Sequence, residues 1–183
     1  MEDKIDFNLL NNKAIITPSS YNGYFDYYYT YTDEYNNEIL IMGNKVDGFI
    51  RIDSPPKPIF HKTYREYYPS GYLSVKGIIV WGSYTRINTL VCYDEQGNQV
   101  FEIDENAKFG EFDYEKLLTF LHLNEHINLE TGENRERLVI GYDETKKHWF
   151  ASITNIFYMI TEYILDGETG KVIDKKEYQG GRM

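Results

Sequence analysis

The feature that most constrains the fold is a hairpin signature that occurs twice. Residues 67–71 (Tyr-Tyr-Pro-Ser-Gly) precede an alternating run at 73–77, and residues 93–98 (Tyr-Asp-Glu-Gln-Gly-Asn) precede another at 100–103. In each case a glycine stands where a tight turn requires a positive φ, and the flanks alternate as half-buried strands do. The two glycines lie 26 positions apart, which is close to the length of a repeated hairpin. The sequence therefore predicts stacked hairpins, an arrangement that builds a recognition surface.

Other runs extend this pattern along the chain. Three prolines between positions 55 and 58 predict a loop or an edge crossover, because proline lacks the donor that a sheet needs. One segment, 113–124, has the leucine spacing of a helix, and Asp113 is a favourable N-cap for it. Alternating or apolar runs predict strands at 13–17, 24–32, 38–43, 62–68, 72–80, 87–94, 99–104, 137–142, 148–153, 157–165 and 171–174.

These elements predict an α+β fold. It is mainly an antiparallel β-meander with hairpins, and its one main helix packs on a C-terminal antiparallel sheet. A chain of 183 residues suits one medium domain or two small ones. The change of character near 108–112 predicts two domains: a hairpin meander over 1–108 and a helix with an antiparallel sheet over 109–183.

Charge limits the partners that the chain can have. The net charge is −10, and both 1–108 and 109–183 are acidic. Because neither half of the chain is basic, the sequence predicts no nucleic-acid partner and favours a basic protein. No stretch approaches 18 apolar residues, so no membrane partner is predicted. The first six residues lack the pattern of a signal peptide, which predicts a cytoplasmic protein. A chain whose signal peptide had been removed would look the same.

Tyrosine supplies the candidate binding residues. The chain has 18 tyrosines, against 10 phenylalanines and 2 tryptophans. Tyrosine favours half-buried strand positions, and it is also enriched at interface hot spots. Both interpretations stay open. On the second, carboxylates steer the partner and tyrosines bind it. The predicted partner-binding residues are Asp26, Tyr27, Tyr29, Asp33, Glu34, Asp94, Glu95, Glu102, Asp104 and Glu105.

Candidate catalytic chemistry is sparse. The string His122-x-x-Glu125-His126 fits the inverted zinc-peptidase motif, in which two histidines on one helical face bind the metal and the glutamate acts as base. The string falls at the end of a short helix, and no second helix supplies a third ligand. Two surface histidines at a helix C-terminus are the alternative. Cys92 lies in an apolar run and has no cysteine to pair with. The sequence predicts no catalytic residue, metal or cofactor.

Two segments resemble known families. Residues 64–104 resemble the MORN-variant repeats of YwqK-family antitoxins, which share the aromatic pair and glycine turn of 67–71 followed by Leu73 and the Lys-Gly pair at 76–77. Residues 109–178 are similar to a PepSY-like unit. They share its leucine-rich helix, a tryptophan at 149, and an ending at 163–173 with the string Leu-Asp-Gly-Glu-Thr-Gly-Lys-Val.

The resemblance implies a bacterial protein of the antitoxin or immunity type. Together with the acidic charge and the tyrosines, it predicts a non-enzymatic module that binds and neutralises a basic toxin. Two alternatives stay open. One is a small zinc-dependent hydrolase that uses the histidine string. The other, by analogy with PepSY units, is a module that inhibits a cell-envelope protease, which requires export.

Overall fold

The computed structural model describes residues 4–18 and 25–180, without the side chains of Pro18 and Phe25. Two α-helices and twelve strands follow one another along these residues. The helices are α1 Phe7–Lys13 and α2 Tyr114–Leu123, and short 3₁₀ turns cover Glu105–Lys108 and Arg135–Arg137. The strands are β1 Ile15–Pro18, β2 Phe25–Thr32, β3 Glu38–Asn44, β4 Gly48–Ser54, β5 His61–Tyr67, β6 Leu73–Val80, β7 Arg86–Tyr93, β8 Gln99–Asp104, β9 Leu138–Asp143, β10 His148–Thr154, β11 Met159–Asp166 and β12 Val172–Gln179.

The strands form two sheets in which chain neighbours are sheet neighbours. The eight-stranded sheet has the order β1 to β8, and the four-stranded sheet has the order β12-β11-β10-β9. Every pair whose register is given is antiparallel, from β1–β2 to β4–β5 and from β9–β10 to β11–β12. The predicted α+β class with a mainly antiparallel meander is therefore confirmed. Glycines 71 and 97 have φ of 86° and 85°, as the hairpin signature requires.

Two elements were not predicted from the sequence. Helix α1 begins after Asp6, whose side chain accepts a hydrogen bond from the backbone N–H of Leu9 at 3.0 Å. Strand β4 follows a turn in which the side-chain oxygen of Asn44 accepts from two backbone N–H groups. The predicted strands begin and end within two residues of the observed ones, except that β12 continues to Gln179, five residues beyond its predicted end. The predicted first residue of β2, Tyr24, lies outside the described residues.

The chain forms two compact units. Unit 1 consists of the described residues up to Pro56, Lys62–Ile78 and Thr89–Ile103; unit 2 consists of Lys57–His61, Ile79–Asn88 and the described residues from Asp104 onward. Segments 57–61 and 79–88 thus belong to the same unit as the C-terminal sheet. That residues 1–108 and 109–183 form separate domains stays a prediction.

Each unit has its own apolar core. In unit 1, α1 buries Leu10 completely in one cluster with residues of β3 to β6, namely Ile39, Ile41, Phe49, Tyr67 and Leu73, and with Ile5 before the helix. In unit 2, Trp149 of β10 is fully buried. Its ring centroid lies 4.6 Å from that of Phe109 and 4.7 Å from that of Tyr142. In α2, Leu117, Leu118 and Leu121 are buried, as the predicted spacing requires.

Candidate binding surface

Asp94 begins the turn between β7 and β8. Its side-chain oxygen accepts from the backbone N–H of Gln96 and of Asn98, each at 2.9 Å, and Asn98 donates to the other carboxylate oxygen at 3.0 Å. These hydrogen bonds, above all the one from the Asn98 side chain, lower the pKa of Asp94. Asp94 therefore shapes the turn, whether or not it also contacts a partner.

Asp33 does the same in the turn between β2 and β3. Its carboxylate accepts from the backbone N–H of Tyr35 and of Asn37, each at 2.9 Å, and the Asn37 side chain lowers its pKa. The residue with positive φ is Asn36 here and Gly97 in the other turn. Sequence reasoning assigned both aspartates to binding and missed this shared turn geometry, although the Asp-x-x-x-Asn spacing carries the signal.

The other predicted acidic residues differ in how freely they face solvent. Asp26 accepts from the side chain of Asn44 at 3.1 Å. Asp104 caps the 3₁₀ turn that follows β8, and Glu105 pairs with Lys108 at 2.8 Å. Glu34, Glu95 and Glu102 are exposed. These last three are the carboxylates most available to a partner.

The two predicted tyrosines on β2 are half-buried. The Tyr27 ring makes an edge contact with Phe49, 6.0 Å between centroids, and Tyr29 stacks on Tyr31 at 5.1 Å. Both pack against the core cluster of unit 1. Tyr27 and Asp26 also line a cleft of about 560 Å³ in unit 1, whose lining includes the acidic residues Asp47 and Glu66.

Topology separates the predicted residues into groups. In a meander, successive turns lie at alternate ends of the sheet, so the turns at 33–37 and 94–98 lie at opposite ends. Strands β2 and β8 are six strand spacings apart, or about 29 Å along the sheet. The structure brings Asp94, Glu95 and Glu102 together on one hairpin, and it places Asp26, Tyr27 and Tyr29 on another. That these residues bind a partner stays a prediction.

Strand β8 is exposed along its whole length. All six residues from Gln99 to Asp104 are exposed, including Val100, Phe101 and Ile103. Sequence reasoning selected the carboxylates of this segment and missed its apolar side chains. We call Gln99–Asp104 the β8 edge, because β8 is the last strand of its sheet.

The described strands that end the two sheets differ in how they are protected against pairing with another chain. Proline and lysine discourage such pairing. β1 has only four residues and ends at Pro18, and β12 carries Lys175 and Lys176. In β9, two of six residues are buried. The β8 edge has no proline, lysine or buried residue. It is therefore the edge most open to a partner strand.

The histidine string lies where α2 ends. His122 is in the last turn of the helix, which ends at Leu123, and Glu125 has a positive φ of 59°. His122 Nδ1 lies 3.3 Å from the Ile127 carbonyl oxygen, and His126 Nε2 lies 2.8 Å from the Tyr163 hydroxyl. The helix thus does not present both histidines on one face. Over residues 4–18 and 25–180, no group of three or more His, Cys, Asp or Glu side chains is placed to bind a metal ion.

His126 gives a pH prediction. Burial, and then the charge of Lys175, lower the pKa of His126. In the unfolded chain, this histidine binds a proton near the ordinary histidine pKa of about 6.5. In the folded chain it binds the proton only at lower pH. The free energy of unfolding therefore falls as the pH falls through the ordinary histidine pKa. We expect His126→Gln to reduce the stability lost between about pH 7.5 and 5.5, measured by urea unfolding at each pH. Burial lowers the pKa of His61 too, so part of the loss should remain. An unchanged pH profile in the variant would contradict the prediction.

Comparison of the chain with protein-family models, curated proteins and solved structures finds no match. The resemblance to MORN-variant repeats and to PepSY units thus stays a prediction. Among the described residues, no helix has the length and apolar character needed to cross a membrane.

Proposed function

We propose that this chain is a non-enzymatic protein-binding module, and that the β8 edge pairs with an extended segment of a basic protein. The exposed β8 edge supports this most directly. A partner strand that joins a sheet edge gains main-chain hydrogen bonds, and its side chains contact alternate residues of the edge. Phe101 and Ile103 would then contact the partner from one face of the sheet, and Val100 and Glu102 from the other.

The charge around the β8 edge supports a basic partner. From Asp94 to Asp104 the chain has four acidic residues and no basic residue. A cluster of one sign attracts a partner of the opposite sign and speeds its association. The acidic lining of the cleft beside Asp26 suits basic side chains of the same partner.

A basic toxin is the kind of partner that we propose, with this chain as its antitoxin or immunity protein. An inhibitor needs only to cover the toxin's functional surface, so the proposal requires no catalytic group on this chain. We also propose that α2 packs on the four-stranded sheet. Tyr114 lies 6.3 Å from Trp149 and Phe120 lies 5.3 Å from Tyr163, measured between ring centroids.

A charge placed in the β8 edge tests the proposal. We expect Phe101→Lys to weaken binding at least about tenfold, because it removes an aromatic contact and adds a like charge toward a basic partner. The matched control is Ile173→Lys on β12, since Ile173 is 50% exposed and Phe101 is 52% exposed. The tagged chain is expressed in its own organism, the recovered proteins are identified by mass spectrometry, and binding to the purified partner is measured by calorimetry.

Three results distinguish the proposal from its rivals. Binding should weaken as salt increases, because exposed charges are screened. Asp94→Asn should weaken binding while the hairpin persists, since asparagine keeps a side-chain oxygen for both backbone N–H groups. Co-expression of the chain should relieve the toxicity of the partner. If Phe101→Lys and Ile173→Lys bind the partner with equal affinity, the proposed site is refuted. Recovery of an acidic partner would refute it as well.

A further inference from the structure

The turn between β10 and β11 exposes three large side chains in succession. Ile156, Phe157 and Tyr158 are all exposed, Phe157 at 72%. No residue from Thr154 to Ile160 is charged. We call Ile156–Tyr158 the apolar tip.

The apolar tip has the same turn geometry as the polar turns of unit 1. The Asn155 side-chain oxygen accepts from the backbone N–H of Phe157 at 2.8 Å and of Met159 at 3.0 Å. Backbone bonds join Asn155 to Met159 at 2.9 Å and Tyr158 to Asn155 at 3.1 Å. The turns at 33–37 and 94–98 have the equivalent bonds, but their tips are Glu-Tyr-Asn and Glu-Gln-Gly. The turn geometry therefore does not require apolar residues at the tip.

Tyr158 occupies a position that disfavours tyrosine. Its φ is 61°, in the left-handed region, and the equivalent positions are Asn36 and Gly97. Glycine and asparagine adopt this conformation readily, whereas a bulky side chain adopts it at a cost in stability. Because Tyr158 is also exposed, burial within the fold does not compensate for this cost. The residue is better explained by a contact outside the chain.

The backbone groups of Phe157 and Tyr158 in the apolar tip are already hydrogen-bonded. The Phe157 carbonyl oxygen accepts from the side chain of Gln179 at 3.1 Å, and the Tyr158 carbonyl oxygen accepts from the backbone N–H of Gly180 at 2.7 Å. Both carbonyls would therefore keep a hydrogen-bond partner when the tip is buried against an apolar surface. A buried carbonyl without a partner would oppose binding. These bonds also fix the turn before binding, which reduces the entropy lost on association.

We propose that Ile156, Phe157 and Tyr158 insert as a preformed apolar tip into an apolar pocket on a partner protein. The four charges nearest the tip along β11 and β12 cancel, which indicates an uncharged rim around that pocket. On β12, Lys175 pairs with Glu177 at 2.7 Å, and Lys176 lies directly opposite Glu162 of β11. Glu162 also accepts from the Tyr178 hydroxyl at 2.7 Å.

The occupant is a different protein rather than a second copy or a lipid surface. Three side chains of this exposure offer about 350–400 Å², so two tips in contact would bury about 700–800 Å², below the roughly 1,200 Å² of a stable interface. A concave pocket would bury the flanks of the turn as well. An anionic lipid surface would repel a chain with a net charge of −10.

The inference shares with the proposed function the need for a protein partner, and it does not depend on the β8 edge. Photocrosslinking in the organism that makes the chain tests the two separately. The photoreactive residue p-benzoylphenylalanine replaces Phe157, Phe101 or Tyr35 in the full chain, and the products are identified by mass spectrometry. Tyr35 is the matched control, because it occupies the equivalent position in the turn at 33–37 and is also 72% exposed. We expect one discrete protein adduct at position 157, and we expect that adduct to be absent at position 35. The crosslinked peptide of the partner should come from an apolar pocket with an uncharged rim.

Every other pattern at 157 overturns the inference. These patterns are an adduct of twice the mass of this chain, a phospholipid adduct, the same adducts at 35, or no adduct. An adduct at 101 and none at 157 refutes the apolar tip as a binding site but does not refute the proposed function. An adduct at 157 alone refutes the β8 edge as a binding site.

Tyr158→Gly distinguishes a contact residue from a structural one. We expect the variant to raise the Tm by about 2–4 °C, because glycine adopts the left-handed conformation without strain. The same variant should lower the yield of the adduct at 157 at least about tenfold. If Tyr158 served only to stabilise the fold, the variant would have a lower Tm. If Tyr158 did not contact the partner, the yield of the adduct at 157 would not change.

Discussion

Replacement of Trp149 by alanine should lower the free energy of unfolding by about 3–5 kcal/mol. Trp149 is fully buried, and the rings of Phe109 and Tyr142 lie within 5 Å of its centroid. Its Nε1 donates to the Phe112 carbonyl oxygen at 2.7 Å. Alanine would leave a cavity among these rings and would remove the donor from that carbonyl. A loss of this size is a large fraction of the 5–15 kcal/mol that stabilises an ordinary domain.

The matched control for Trp149→Ala is Phe150→Ala. Phe150 is the next residue of β10, points to the other face of the sheet, and is 37% exposed. We expect this control to lose much less stability, because water already reaches the side chain. Urea unfolding followed by far-UV circular dichroism measures both variants, and the fluorescence of Trp81 reports on unit 2 in the absence of Trp149. Equal losses in the two variants would show that the ring cluster does not dominate the core of unit 2.

The hairpins were predictable from the sequence because their signals are local. A glycine of positive φ in a short turn restricts the backbone within five residues, and both Gly71 and Gly97 have that φ. Helix α2 was predictable for a similar reason. Asp113 caps it through a hydrogen bond to the backbone N–H of Lys116 at 2.9 Å, and its buried leucines repeat at helical spacing.

Helix α1 was not predictable in the same way. Seven residues are too few to show a helical period, and an isolated helix of that length is unstable in water. Its stability comes from the packing of Leu10 against β3 to β6, residues that are 29 to 63 positions further along the chain. The assignment of 57–61 and 79–88 to unit 2 likewise depends on contacts between distant residues.

The candidate site was predictable in its residue types and not in its geometry. Acidic turn residues were identified, but Asp33 and Asp94 bond their own turns, and the meander places those turns at opposite ends of the sheet. The exposure of Phe101 and of the apolar tip depends on what the rest of the fold leaves uncovered. An apolar strand residue is usually buried, so no local signal in the sequence marks Phe101 as exposed.

Replacement of Leu10 by alanine should destabilise unit 1 by about 2–5 kcal/mol. Leu10 is completely buried, and it joins α1 to a cluster that includes Ile39, Phe49 and Leu73. The capping bond from Asp6 and the helical bonds of seven residues do not hold α1 in place without this contact. Loss of the leucine should therefore release the helix and expose one face of β3 to β6 to water.

Hydrogen exchange localises the effect of Leu10→Ala. We expect faster exchange in peptides covering α1, β3 and β4, and a lower urea midpoint by far-UV circular dichroism. Leu9→Ala is the matched control, since it deletes the same atoms from a half-buried position on the same helix. If the two variants lose the same stability, burial of Leu10 is not what holds α1. If exchange in β3 is unchanged in Leu10→Ala, the helix does not protect that face of the sheet.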